Sequence, residues 1–221
     1  MGLAWKCYGL SVLSVVAGSL LAARVYPEGF DWAYQVMSAL ASQKHNPEGG
    51  AWFAGGLALG MALLFPLAYR FFNDAAGRSK RERLGAVLVF VGLLFGVGVG
   101  VERLLFFHLS DVIDKAHELL ALLSFLSLFV GLLLLATSRG RRAGARIWPS
   151  LVVVLPLLAI GASQLAVYLD QRDLGWVGTD WREMGVPLWY SFAFWQWLAA
   201  GSLWASMGLL LGCRTRVGES A

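Results

Sequence analysis

The chain has 221 residues, of which 58% are hydrophobic and only 14% charged, and its mean hydropathy is +0.64. A water-soluble domain carries about 25% charged residues, so this composition excludes a soluble surface and implies an integral membrane protein. The net charge of +4 does not point to nucleic acid, because the basic residues sit in short loops between apolar runs.

A spanning helix needs about 20 mostly apolar residues, and six stretches reach that length: roughly 4–25, 50–72, 85–107, 116–137, 147–169 and 187–212. The first reads as a retained span rather than a cleaved signal peptide, since Lys6 alone charges its head and Ala22-Ala23 is a poor cleavage signal. The loop that follows, YPEGFDWAYQVMSALASQKHNPEGG, places Phe30, Tyr34, Met37 and Ala41 at helical spacing, which predicts a helix lying in the membrane interface. Asn46-Pro47-Glu48 then offers a cap, a first-turn proline and an acid ahead of span two. Asp111 and Asp114 open span four, and Val186-Pro187 opens span six. Gly56 and Gly60, then Gly92, Gly96 and Gly100, then Gly208 and Gly212 recur at every fourth position and predict close helix contacts. Tryptophans near span ends (Trp5, Trp52, Trp148, Trp189) fit interfacial belts, while Trp195 and Trp197 sit deeper. No soluble domain fits between the spans. The expectation is one membrane domain over residues 1–221, an all-α, polytopic bundle of six transmembrane helices.

Orientation follows from the basic residues. With the N-terminus inside, twelve of the eighteen Lys and Arg fall on the cytoplasmic side, concentrated in RSKRER and SRGRRAGAR, against six outside. Both termini are therefore expected in the cytoplasm of a cell of which this is an inner or plasma membrane protein. Cys7 and Cys213 then lie in a reducing compartment, and with no CxxC or CxxCH the usual redox and c-type haem signatures are missing. The acids show the opposite bias. Only Asp74, Glu82 and Glu219 of the fourteen lie inside, and His45, His108 and His117 join the other eleven outside or in the outer leaflet. A site, if present, opens away from the cytoplasm.

Glu102-Arg103 is the strongest single signal, because a charge near the hydrocarbon centre costs about 2.5–3.5 kcal/mol and needs a partner or water. The two lie about 8 Å below the outer end of span three at 1.5 Å per residue. As helix neighbours they point about 100° apart and are expected to pair poorly with each other; Arg103, after the Gly96–Gly100 ridge, should face a neighbouring helix, and Glu102 should find a donor on another span. Asp114 and His117 share one face, so the carboxylate can orient the imidazole as half of a general base. The same acids complement a helix dipole. Asp111 and Lys115 make a surface pair. There is no HExxH or HxxxH, and three histidines cannot make two bis-histidine haem sites, so neither metal nor cofactor is expected.

Asp31-Trp32, Ser38-Ala39-Leu40 and Asn46-Pro47, followed at once by a glycine-rich span, resemble the outer loop of the Frag/DRAM/Sfk group and of its uncharacterised bacterial six-helix cousins. Ser38, Asn46, Pro47 and His117 match that pattern, while Ala41 stands where glycine is usual. The resemblance implies membrane-lipid business without an established catalytic mechanism. The leading expectation is a protein that binds or organises a lipid or amphiphile, or assists its modification, in an extracytoplasmic vestibule built by Glu102, Arg103, Asp111, Asp31, Ser38 and Asn46. The alternatives are an intramembrane lipid hydrolase or transferase with His117 as base and Asp114 beside it, and a packing subunit of a larger membrane complex. Membrane lipids, and other membrane proteins, are the expected partners; nucleic acid is not.

Overall fold

The computed structural model describes residues 2–106, 116–142, 148–171 and 187–212. Among them every regular element is helical. In chain order these are α1 (Leu3–Arg24), α2 (Met37–Ala41), α3 (Gly50–Leu63), α4 (Phe65–Asp74), α5 (Lys80–Leu105), α6 (Ala116–Arg142), α7 (Trp148–Gln171) and α8 (Phe192–Gly212), with a 3-10 turn at Leu188–Tyr190. Consecutive long helices pack side by side, with the broadest interface between α5 and α6.

Four helices are long and apolar enough to cross a membrane: Leu3–Arg24, Gly50–Asp74, Lys80–Leu105 and Ala116–Arg139. α7 contributes a shorter apolar stretch, Ser150–Ala166. Leu10, Leu13 and Leu20 of α1, Leu84 and Leu94 of α5, Leu122 and Leu126 of α6, and Leu155 and Leu158 of α7 all point outward. Such an apolar exterior is stable only in apolar surroundings, and the chain is a multi-pass membrane protein.

The second span is broken once. Pro66 stands in the first turn of α4 and has no N–H to give, so the helix ends at Leu63 and restarts at Phe65. Its two halves pack on different partners, and the glycines decide how closely. A Cβ on Gly56 would lie 2.8 Å from the Ser14 carbonyl and 3.0 Å from Gly18 Cα, so α1 and α3 touch backbone to backbone. The predicted ridge on α5 divides between two neighbours: Gly92 abuts Leu128 of α6, while Gly96 and Gly100 abut Met61, Ala54 and Ala58 of α3. Around these contacts lies a core of Leu64, Leu67, Phe71, Val89, Leu93, Leu128, Leu132, Leu135, Met207 and Leu210.

The segment between α1 and α3 departs from expectation. It is not one interfacial helix; only Met37–Ala41 is helical. Asp31 Oδ1 accepts from the N–H groups of Ala33 (2.8 Å) and Tyr34 (3.3 Å), an Asx-type turn that competes with helix at the point where the periodic pattern starts. The segment instead docks on the bundle end. Leu40 and Ala41 are buried against Ala22 and Phe53. Phe30 and Trp32 meet Trp197 edge to face. Met37 N–H donates to Gln196 Oε1 at 3.0 Å, Trp197 Nε1 to the Gln35 carbonyl at 3.3 Å, and Ser191 Oγ to the Ala33 carbonyl. Trp197 is thus a packing residue of this cap. Asn46 begins one turn before α3 rather than capping its first residue, since Gly49 holds the N-cap position.

Candidate functional site

α5 ends and α6 begins at the same level of the bundle, which brings the last turn of one against the first turn of the other. Glu102 and Arg103 project from the former, His117 from the latter. His117 Nδ1 lies 3.2 Å from Glu102 Oε2, and Arg103 Nε lies 3.5 Å from that same oxygen. The Glu102 and His117 side chains are 12% exposed and that of Arg103 21%, so among the described residues the three form a largely desolvated cluster.

The expectation that Glu102 and Arg103 would pair poorly needs correcting. The long arginine side chain curls back far enough for charge contact with its neighbour. The 100° offset still shows in the alignment, because Arg103 Nε is buried without a hydrogen-bond acceptor among the described residues. The expectation that Glu102 would find a donor on another span holds, the partner being His117. A carboxylate does face the His117 imidazole, but it is Glu102 of α5. Asp114, the carboxylate expected from the sequence, lies outside the described residues, as do Asp111, His108 and Lys115.

The docked segment reaches this cluster through Gln43, whose Nε2 donates to the Arg103 carbonyl at 3.3 Å. The other residues expected from that segment have different surroundings. Asn46 is fully buried, its Nδ2 donating to the carbonyls of Ala22 and Leu40 at 3.1 Å each and its Oδ1 accepting from Gly49 N–H at 3.1 Å. That amide is committed to joining α1, α2 and α3. Ser38 is half-buried on α2. Asp31 is exposed and lines a separate open recess with Glu28, Phe30 and Trp32. Among the described residues no three His, Cys, Asp or Glu side chains converge as a metal site would require.

Chemically the cluster can do two things. Glu102 and His117 can share a proton across 3.2 Å, and with His117 protonated the three groups carry a net positive charge. Arg103 can offer its unmatched donor to an anion. Two participants escaped sequence reading. Gln43 carries no signal at all in an undifferentiated polar run. The second is a charge cluster at the other end of α5 and α6, formed by Asp74, Glu82 and Arg139. Its signal is present in the sequence, since Asp74 and Glu82 are the only acids beside the first basic loop and Ser79-x-x-Glu82 has capping-box spacing.

A family model described as protein of unknown function (DUF998) matches residues 10–212. No curated protein and no solved structure matches the chain.

Proposed function

This chain belongs to the family described as protein of unknown function (DUF998), and for it we propose binding or organisation of a lipid or amphiphile with an anionic headgroup. The headgroup sits at Arg103, with Glu102 and His117 holding the guanidinium in place. One observation carries the reading: Arg103 Nε is buried in the cluster with no hydrogen-bond acceptor among the described residues. A planar guanidinium binds two oxygens of a phosphate or carboxylate at once, and burial near a membrane surface strengthens that bond.

In this reading the bundle has six spans. α7 and α8, with 24 and 21 residues, reach about 30 Å at 1.5 Å per residue, enough for the hydrocarbon core. The basic loops support cytoplasmic termini in an inner or plasma membrane, with the cluster on the far side in this reading. The short motifs shared with the Frag/DRAM/Sfk group agree with a lipid ligand.

The test is lipid retention by native mass spectrometry of purified protein, with thermal unfolding as the folding control. Arg103→Gln is expected to reduce retention of anionic lipid about tenfold or more, the effect of losing a charge-assisted hydrogen bond, while the protein stays folded. Arg103→Lys keeps the charge without the fork and should fall between. Unchanged lipid retention in Arg103→Gln would show that the charges are structural.

A second reading has its own observation. Glu102 Oε2 lies 3.2 Å from His117 Nδ1, as an orienting carboxylate does beside a general base. Loss of lipid turnover in His117→Ala with lipid retention intact would favour an intramembrane hydrolase or transferase.

A further inference from the structure

Among the described residues, a buried arginine joins the helices at the end of the bundle remote from Arg103. Glu82 is fully buried in the first turn of α5, whereas Lys80, Arg81 and Arg83 beside it are exposed. Arg139, near the end of α6, is 5% exposed. Its Nε lies 3.4 Å from Glu82 Oε1 and its Nη2 lies 3.6 Å from Asp74 Oδ2 at the end of α4. Its guanidinium covers the Phe71 ring at 4.8 Å, and Nη1 donates to the Leu210 carbonyl of α8 at 3.2 Å. One cation joins four helices.

Those helices are not held alike. α5 and α6 are pinned at both ends, by Glu82–Arg139 and by Glu102–His117. The two pins stand about 30 Å apart along α5 at 1.5 Å per residue, the thickness of the hydrocarbon core. Between them Gly85 lies against Gly131, and Ser124 Oγ donates to the Gly92 carbonyl at 2.8 Å. α8 packs mainly on α7, which itself meets α6, and more narrowly on α6 and α1, where Leu203, Met207 and Leu210 join the core shared with α5 and α6. Its polar ties to the rest are Gln196 and Trp197 at the capped end, Trp204 with Tyr8 and Ser11 midway, and the Leu210 carbonyl on Arg139 at the remote end.

A buried ion pair contributes little more to stability than well-packed apolar side chains. Where it spans two packed units it fixes their relative arrangement, and such units move as bodies about their remaining contacts. We propose that Arg139, anchored by Asp74 and Glu82, is an ionic latch on the last turn of α8. Its release lets the α7–α8 pair swing from α5–α6 at this end while the capped end stays docked. The latch stands independently of what Arg103 binds.

Thiol accessibility tests it in the full chain, reconstituted in lipid nanodiscs with Cys7 and Cys213 replaced by serine. Maleimide labelling is measured for Met207→Cys near the latch and for Ala193→Cys at the capped end, both buried on α8. Adding Arg139→Gln is expected to speed labelling at position 207 about tenfold or more, as loss of a charge-assisted hydrogen bond shifts a local opening equilibrium. Position 193 should not change, and Arg139→Lys, which keeps the positive charge and a donor for the Leu210 carbonyl, should restore much of the slow labelling. Should Arg139→Gln fail to fold, Asp74→Asn decides, since it removes the longer of the two Arg139 ion pairs, with the 3.9 Å Arg70–Asp74 pair, and should give an intermediate acceleration. Unchanged labelling at 207, or equal acceleration at 207 and 193, would overturn the latch.

Discussion

The tight crossing of α1 and α3 makes a quantitative prediction for Gly56→Ala. The new methyl would stand 2.8 Å from the Ser14 carbonyl and 3.0 Å from Gly18 Cα, both backbone atoms that cannot rotate away. The two helices must separate, and overpacking of this kind costs about 1–3 kcal/mol. Separation also breaks the 3.0 Å bond from Ser14 Oγ to the Gly56 carbonyl, worth about 0.6 kcal/mol for an average interhelical bond in a membrane. Alanine returns about 1 kcal/mol of helix propensity. Gly201→Ala is the control, because Gly201 is also helical but has nothing within 4 Å of its Cβ position, so the propensity term alone applies. The propensity terms cancel between the two variants, leaving Gly56→Ala less stable than Gly201→Ala by about 1.6–3.6 kcal/mol. Reversible unfolding of both in mixed micelles measures this difference. Equal stability of the two variants would refute a backbone-to-backbone contact between α1 and α3.

The remaining predictions concern the cap and the topology. Asn46→Ala strands the carbonyls of Ala22 and Leu40 and the N–H of Gly49, with an expected cost of roughly 3–6 kcal/mol at about 1–2 kcal/mol per buried group. Asn46→Asp should not rescue it in the same unfolding assay, since a carboxylate has no donor for either carbonyl. Glu28 has φ +61 between Pro27 and Gly29, so Glu28→Gly should raise stability by about 0.5–1 kcal/mol, the left-handed strain relieved less the added chain entropy; a lower midpoint would refute the turn. Cys7 and Cys213 should react with membrane-impermeant maleimide only after cells are permeabilised, and labelling of either in intact cells would reverse the proposed orientation.

The apolar runs determined the helices and their limits to within a few residues, because a chain in hydrocarbon must satisfy its backbone hydrogen bonds within each segment. For the same reason the glycine spacing on α5 was legible as a packing face. The break at Leu64 was not read, since span two runs unbroken over roughly 50–72 in the apolar pattern despite Pro66, while the charges of Glu102 and Arg103 stood out because nothing apolar can hide them cheaply.

Partner choice was decided elsewhere. The sequence put His117 beside Asp114, which lies outside the described residues, and the antiparallel return of α6 sets it against Glu102, fifteen positions away. Arg139 looked like one more cytoplasmic cation, and only the meeting of α4, α5, α6 and α8 makes it a buried joint with Asp74, Glu82 and the Leu210 carbonyl. The segment after α1 carried a helical period, but Asp31 turned its backbone and Asn46, Gln196 and Trp197 drew it onto the bundle end. Periodicity reports the surroundings one segment prefers. Which charges and amides meet is set by how whole helices cross, and that information is shared among positions too far apart for any local pattern to hold.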